Sequence, residues 1–217
     1  MKVFALECST VQAGAAMLEN GRVVASISWR EERARHESLF DRADVMVRGA
    51  GWRWTDFDLF CVGRGPGAYS GLRVSLLAVQ ALAAPGGKPV MAVGSMDALA
   101  VALCRKHGVS SVTIAGDARR NSCWIGRCQA ASIAQTPTEW RVVGRDQLTG
   151  FIRPGETAAT PHWEELTAIR ELNPEATWLP GPAIPTAEQV ALLAVHRFTI
   201  NTDTSEPLQP LYMHPAV

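Results

Sequence analysis

Residues 59–84 read LFCVGRGPGAYSGLRVSLLAVQALAA: a short apolar run, a glycine-rich turn and a nearly all-apolar segment of helical length. The run 59–62 predicts a buried strand, since an apolar stretch of that length ended by glycine is more often strand than helix. Gly63, Gly65, Gly67 and Gly71 let the backbone turn without a Cβ penalty, and Pro66 fixes one φ among them. Ser70 is expected to cap a helix that begins at Gly71. A turn that feeds a helix N-terminus offers unpaired N–H groups and the positive end of the dipole. Gly63, Arg64, Gly65, Gly67 and Gly71 are therefore candidates for contacting a phosphate; the bland alternative is a close backbone crossing. Familiar phosphate and nucleophile motifs fit poorly. No lysine follows Gly71, as a Walker loop requires. The pattern Gly63-x-Gly65-x-x-Ala68 matches a dinucleotide fingerprint only loosely. In Gly67-x-Tyr69-x-Gly71 a tyrosine occupies the serine position of a nucleophile elbow.

Wound at helical spacing, Leu72, Ser75, Ala78, Val79 and Leu82 share one face, and Arg73, Leu76, Leu77, Gln80 and Ala84 share the other. A helix apolar on nearly every side is deeply buried or meets a partner, so the second face is expected to bind one. A preceding helix reaching residue 50 shows a core stripe of Leu39, Phe40, Ala43, Met46 and Val47, which leaves Ser38, Arg42 and Val45 outward. These three, with Tyr69, Ser70, Arg73, Leu76, Leu77 and Gln80, form the expected partner surface.

The chain has 217 residues, 47% of them hydrophobic, enough for one large or two small domains with a real core. Lys and Arg number 21 against 21 Asp and Glu, so the net charge of zero gives no footprint of a free-standing nucleic-acid binder. No stretch reads as a signal peptide or a membrane span, and a cytoplasmic protein is expected. Cys8, Cys61, Cys104, Cys123 and Cys128 show no C-x-x-C and read as reduced, buried thiols; the histidines lack ligand spacing, and no metal or cofactor is expected. Strands at residues 3–6, 14–18 and 23–29 open the chain as a meander, ending the first strand on Glu7. With the helices and strands that follow, to a strand at 89–93 and a helix capped by Ser95, the order is βββαβαβα. The expected boundary divides lobes 1–105 and 106–217. In the second, residues 112–116 and 123–128 read as strands flanking a polar turn with Asp117, and residues 129–161 carry little pattern beyond a strand at 140–143. Helices at 162–171 and 186–198 and a strand at 177–179 complete it, and no sequence repeat is evident.

The opening meander resembles the ribonuclease H-like lobe of the actin and sugar-kinase (ASKHA) superfamily, where an acid at the position of Glu7 helps to hold metal-bound phosphate. Beyond that, LECST, RARHESLF, VGRGPGAYSGLR, VGSMDALA, DARR, PTAEQVALLA and PLYMH occur in the order and spacing of the TsaB (YeaZ) family. Residues 63–73 are similar to its GRGPGSFTGLR, and the resemblance spans nearly the whole chain. Glu7 replaces the usual Asp, Trp124 a common Tyr, and His214 the usual terminal Arg.

The resemblance implies an α/β, actin-like two-lobe fold with a smaller, degenerate C-terminal lobe. It implies a non-catalytic dimerisation subunit that pairs with the catalytic TsaD-like subunit, together with a TsaE-like ATPase. That machinery makes threonylcarbamoyladenosine beside the anticodon, and tRNA would be met only through the complex. Two alternatives stand beside it: an actin-like-fold phosphotransferase or glycoprotease-type peptidase using Glu7, Asp117 and the glycine-rich turn, and a homodimer using the same helices.

Overall fold

The computed structural model describes residues 1–30, 39–133, 136–200 and 207–213. Ser38, His36 and His214 fall outside them. In chain order come β1 (Lys2–Glu7), β2 (Gln12–Glu19), β3 (Arg22–Arg30), α1 (Leu39–Gly49), β4 (Leu59–Gly63), α2 (Tyr69–Ala83), β5 (Val90–Val93) and α3 (Ser95–His107). There follow β6 (Ser111–Arg119), β7 (Ser122–Gln129), α4 (Ala130–Ile133), β8 (Arg141–Gly144), β9 (Thr157–Ala159), α5 (Thr167–Leu172), β10 (Thr177–Trp178) and α6 (Ala187–Thr199).

The first sheet has the order β3-β2-β1-β4-β5. β1, β2 and β3 are antiparallel neighbours, whereas β4 runs parallel to β1 and β5 parallel to β4. A meander followed by two parallel strands reached through helical crossovers is the ribonuclease H-like arrangement, and the βββαβαβα order read from sequence is present. Alternation sorts the side chains. Phe4, Leu6, Ala15, Met17, Phe60 and Val62 join one apolar cluster with Ala43, Met46 and Val47 of α1 and Leu76, Val79 and Ala83 of α2. Both helices thus cover the same face. Phe57 fixes its floor, with Trp52 and Trp54 ring-packed against it at 5.5 and 5.9 Å, and the Trp54 indole N–H donates to Asp44 of α1 at 2.9 Å.

α6 covers the opposite face, lying on β1, β2 and β4 with Ala187, Val190, Ala191, Leu193 and Ala194 buried. Its start is sealed by a reciprocal cap: Gln189 N–H donates to Thr186 Oγ1 at 3.4 Å and Thr186 N–H to the Gln189 side chain at 3.1 Å. Near its end, fully buried Arg197 meets fully buried Asp97 in the first turn of α3 at 3.8 Å. The compact units are consequently Met1–Ala98 with Pro185–Leu211, and Leu99–Ile184 with Tyr212–Val217. The sequence division at residue 105 differs in two ways: the break lies inside α3, and α6 belongs to the first unit.

The second sheet has the order β10-β9-β6-β7-β8. β6, β7 and β8 form an antiparallel meander, β9 is parallel to β6 and β10 to β9. Read from β8, this is the topology of the first sheet repeated. It is the smaller version: β9 and β10 have 3 and 2 residues, and α5 has 6. Its core gathers Ala115, Ile125, Leu148, Ile152, Ala158 and Ile169. All five cysteines are buried thiols.

Candidate functional site

The glycine-rich turn is built by contact with the end of β1. Ala68 N–H donates to the Ser9 carbonyl at 2.7 Å, and a Cβ on Gly67 or Gly71 would collide with the carbonyl oxygens of Ser9 and Cys8. Gly65 takes φ +101°, a conformation that L side chains rarely adopt. Around it the amides turn inward. Arg64 N–H donates to Val93 O at 3.0 Å and Gly65 N–H to Ser95 Oγ at 3.0 Å, while the Arg64 carbonyl accepts from Leu211 N–H at 2.7 Å. Of the five residues expected to line a phosphate, Arg64 and Gly65 spend their N–H groups inside the protein. The turn is a close backbone crossing.

This contact also corrects the helix start. α2 begins at Tyr69 with Ala68 as its cap residue and no capping side chain. Ser70, read as the cap of a helix opening at Gly71, lies inside the first turn and is exposed. The pinned Ala68 amide sets the entry angle that a capping hydroxyl would otherwise set.

Glu7 stands beneath the turn. Its carboxylate is buried, Oε1 accepts the Ser9 N–H at 2.6 Å, and Oε2 fills the space a Cβ at Gly63 would need. Burial raises its pKa above the ordinary 4.5, against the opposing pull of the Ser9 amide. The acid at the matching strand end of the second sheet, Asp117, is held differently: Arg145 donates to it at 2.7 Å. Asp117 N–H donates to His162 Nδ1 at 3.1 Å, and burial holds that imidazole below its usual range. Among the described residues no group of three or more His, Cys, Asp or Glu could hold a metal ion.

The outward faces of α1 and α2 carry the other candidates. Val45 is 73% exposed, Leu77 67% and Val74 52%, and Tyr69 and Phe40 are also exposed. Arg73 lies over the Tyr69 ring at 4.5 Å, and half-buried Arg42 over the Trp29 ring at 5.6 Å. Gln80 is half-buried, and its amide donates back to Leu76 O at 3.2 Å. Two sequence assignments change here. Leu76, expected outward, is only 2% exposed and sits in the core cluster; Phe40, expected in the core stripe, faces out. Val74 belongs to the exposed face and was missed, because a helix apolar all round gives no period by which to orient it.

A model of the family described as "TsaD: tRNA N6-adenosine threonylcarbamoyltransferase" matches residues 29–139. The "tRNA threonylcarbamoyladenosine biosynthesis protein TsaB" of Haemophilus influenzae is 26% identical over 68% of this chain, and that of Escherichia coli 27% identical over 59%. The structure of YeaZ from Pseudomonas aeruginosa, 25% identical, superposes with a TM-score of 0.78 over 97% of this chain and 99% of that one. The chain belongs to this family, on its TsaB (YeaZ) side. The matches span 64% and 55% of the two TsaB relatives' lengths. Among the described residues no helix is long and apolar enough to cross a membrane.

Proposed function

We propose that this TsaB-like chain is a non-catalytic subunit of the machinery that makes threonylcarbamoyladenosine in tRNA, and that it acts by binding and organising a TsaD-like catalytic subunit. The observation that carries the proposal is the apolar outer faces of α1 and α2: Val45 stands exposed on α1, and Val74 and Leu77 stand exposed on α2, the helix that also carries Tyr69 and Arg73. Tyrosine and arginine are residue types enriched in interface hot spots, and the exposed aliphatic side chains add apolar area that a partner would bury. The strand-end acids support the non-catalytic part. Glu7 is closed off by Gly63, and Asp117 is neutralised by Arg145, so neither carboxylate is presented to a substrate.

In this reading the glycine-rich turn is structural. It welds the start of α2 to the end of β1 and so fixes the angle at which α2 offers its outer face. A TsaE-like ATPase joins the larger complex, and tRNA is met through the assembly, since a chain of zero net charge has little with which to neutralise phosphates. The test is threonylcarbamoyl transfer to unmodified tRNA with each protein omitted in turn. Transfer should require both this chain and the TsaD-like partner. Transfer by this chain without that partner, lost in Glu7→Ala, would establish an enzyme instead.

A further inference from the structure

The second unit contains a cavity of about 310 Å³ that the helix-bearing face of its sheet leaves uncovered. Strand register creates it. Thr113 stands opposite Arg127, and Ile125 opposite Arg141, so these side chains project from the same face as Ala115 and Ala158 of the core. The apolar cover supplied by Leu148, Ile152 and Ile169 reaches Ile125 and stops. Beyond it the face presents guanidinium groups, and Phe151 and Arg153 close the rim from the loop before β9.

The lining is charged in a particular way. Glu156, whose side chain is nearly buried, forms an ion pair with Arg127 and also accepts the Arg153 N–H at 3.0 Å, so it ties two walls together. Arg141 pairs with Glu139 at 3.2 Å, but both side chains are mostly in water, where such a pair is weak and readily exchanged. No ion pair among the described residues holds the Arg153 guanidinium. At the floor, Thr113 is 2% exposed and its hydroxyl has no hydrogen-bond partner among the described residues. A buried hydroxyl without a partner is costly, and a ligand oxygen entering the cavity would supply one.

We propose that this cavity binds a small organic phosphate bearing a flat ring. The phosphate oxygens are received by Arg153 and Arg141, with the Thr113 hydroxyl donating from the floor, and the ring lies against Phe151. When Glu139 gives way, three guanidiniums face one remaining carboxylate, a surplus that matches a phosphate monoester's charge of roughly −2 at neutral pH. The volume is near the lower end for small-molecule sites, which suits a mononucleotide-sized ligand and not a polymer. Guanidiniums without a facing acid cluster exclude a metal ion.

The test is calorimetric titration of the full chain with AMP, adenosine, inorganic phosphate and a short oligoribonucleotide. AMP should bind, inorganic phosphate more weakly, and adenosine at least about tenfold more weakly, because it lacks the charge-assisted bonds. Arg153→Ala should cost AMP about tenfold or more, and Arg141→Ala with Arg153→Ala should abolish binding. Phe151→Ala should remove the advantage of AMP over inorganic phosphate. The altered side chains are exposed, so unchanged melting will show that these variants fold. The assignment falls if AMP fails to bind at millimolar concentration, if the double variant binds it as wild type does, or if adenosine binds equally well. Binding of the oligoribonucleotide through the same arginines with AMP excluded would make the cavity an RNA contact and would also overturn it.

Discussion

Gly71 and Glu7 show how single atoms hold the glycine-rich turn. At Gly71 the missing Cβ is what lets α2 approach the Cys8 carbonyl. Gly71→Ala should therefore destabilise the protein by about 1–3 kcal/mol, as overpacking does, although alanine is the better helix former. Urea denaturation reads the change, and a neutral or stabilising result would mean that β1 and α2 separate easily. Glu7 makes a prediction of opposite sign. Its folded pKa lies above the ordinary 4.5, so as pH rises past that value the unfolded chain releases its proton before the folded chain does. The unfolded state binds fewer protons in that window, and the contribution of Glu7 to stability falls as pH rises toward the folded pKa. Glu7→Gln keeps the shape without the charge. Denaturation of both proteins from pH 4 to pH 8 should show the variant gaining on wild type with rising pH; a constant gap would mean that burial of this carboxylate costs nothing.

At the scale of elements, α2 divides two adjacent leucines between core and solvent. Leu77→Glu places a charge on the outer face, so the folded chain should keep its stability within about 0.5 kcal/mol while association with a TsaD-like partner loses on the order of 2 kcal/mol or more. Leu76→Glu buries the charge instead and should unfold the first unit. Circular dichroism and co-purification with the partner separate the two, and full association by Leu77→Glu would move the interface elsewhere. The same pair of leucines shows what could be read in the chain. Strands β1 to β5 and helices α1 to α3 were legible because apolar runs and glycines mark their ends. The outer face of α2 was legible only in part, because 100° of rotation separates Leu76 from Leu77 and apolar neighbours on both sides leave the register open. In the second unit, β10 was legible as the strand read at 177–179, but β9 is too short to show alternation, and the repeat of topology is carried by strand order and pairing, which leave no trace in the residues 129–161. Arg127, Arg141 and Arg153 are brought together by register and a loop, at spacings that match no local motif.

For the whole molecule, the decisive feature is a first unit assembled from both ends of the chain. α6 returns from the far end of the sequence to cover the sheet face that α1 and α2 leave bare, and its last turn brings Arg197 to Asp97. A buried ion pair contributes little net stability, yet removing one partner strands the other charge at a cost of about 3–5 kcal/mol. Arg197→Met should accordingly cost about that much, while Arg197→Met combined with Asp97→Leu should recover most of the loss, because no uncompensated charge remains. Truncation after Ile184 is the stronger case. It uncovers the face of β1, β2 and β4 on which Val190, Ala191 and Ala194 are buried, and no other described helix covers that face. The truncated chain should expose apolar surface and lose the cooperative melting of the first unit. Adding residues 185–217 back as a separate peptide should restore that melting. If the truncated chain melted as wild type does, the first sheet would be stable with one face bare, and α6 would be an attachment to the first unit instead of part of its core.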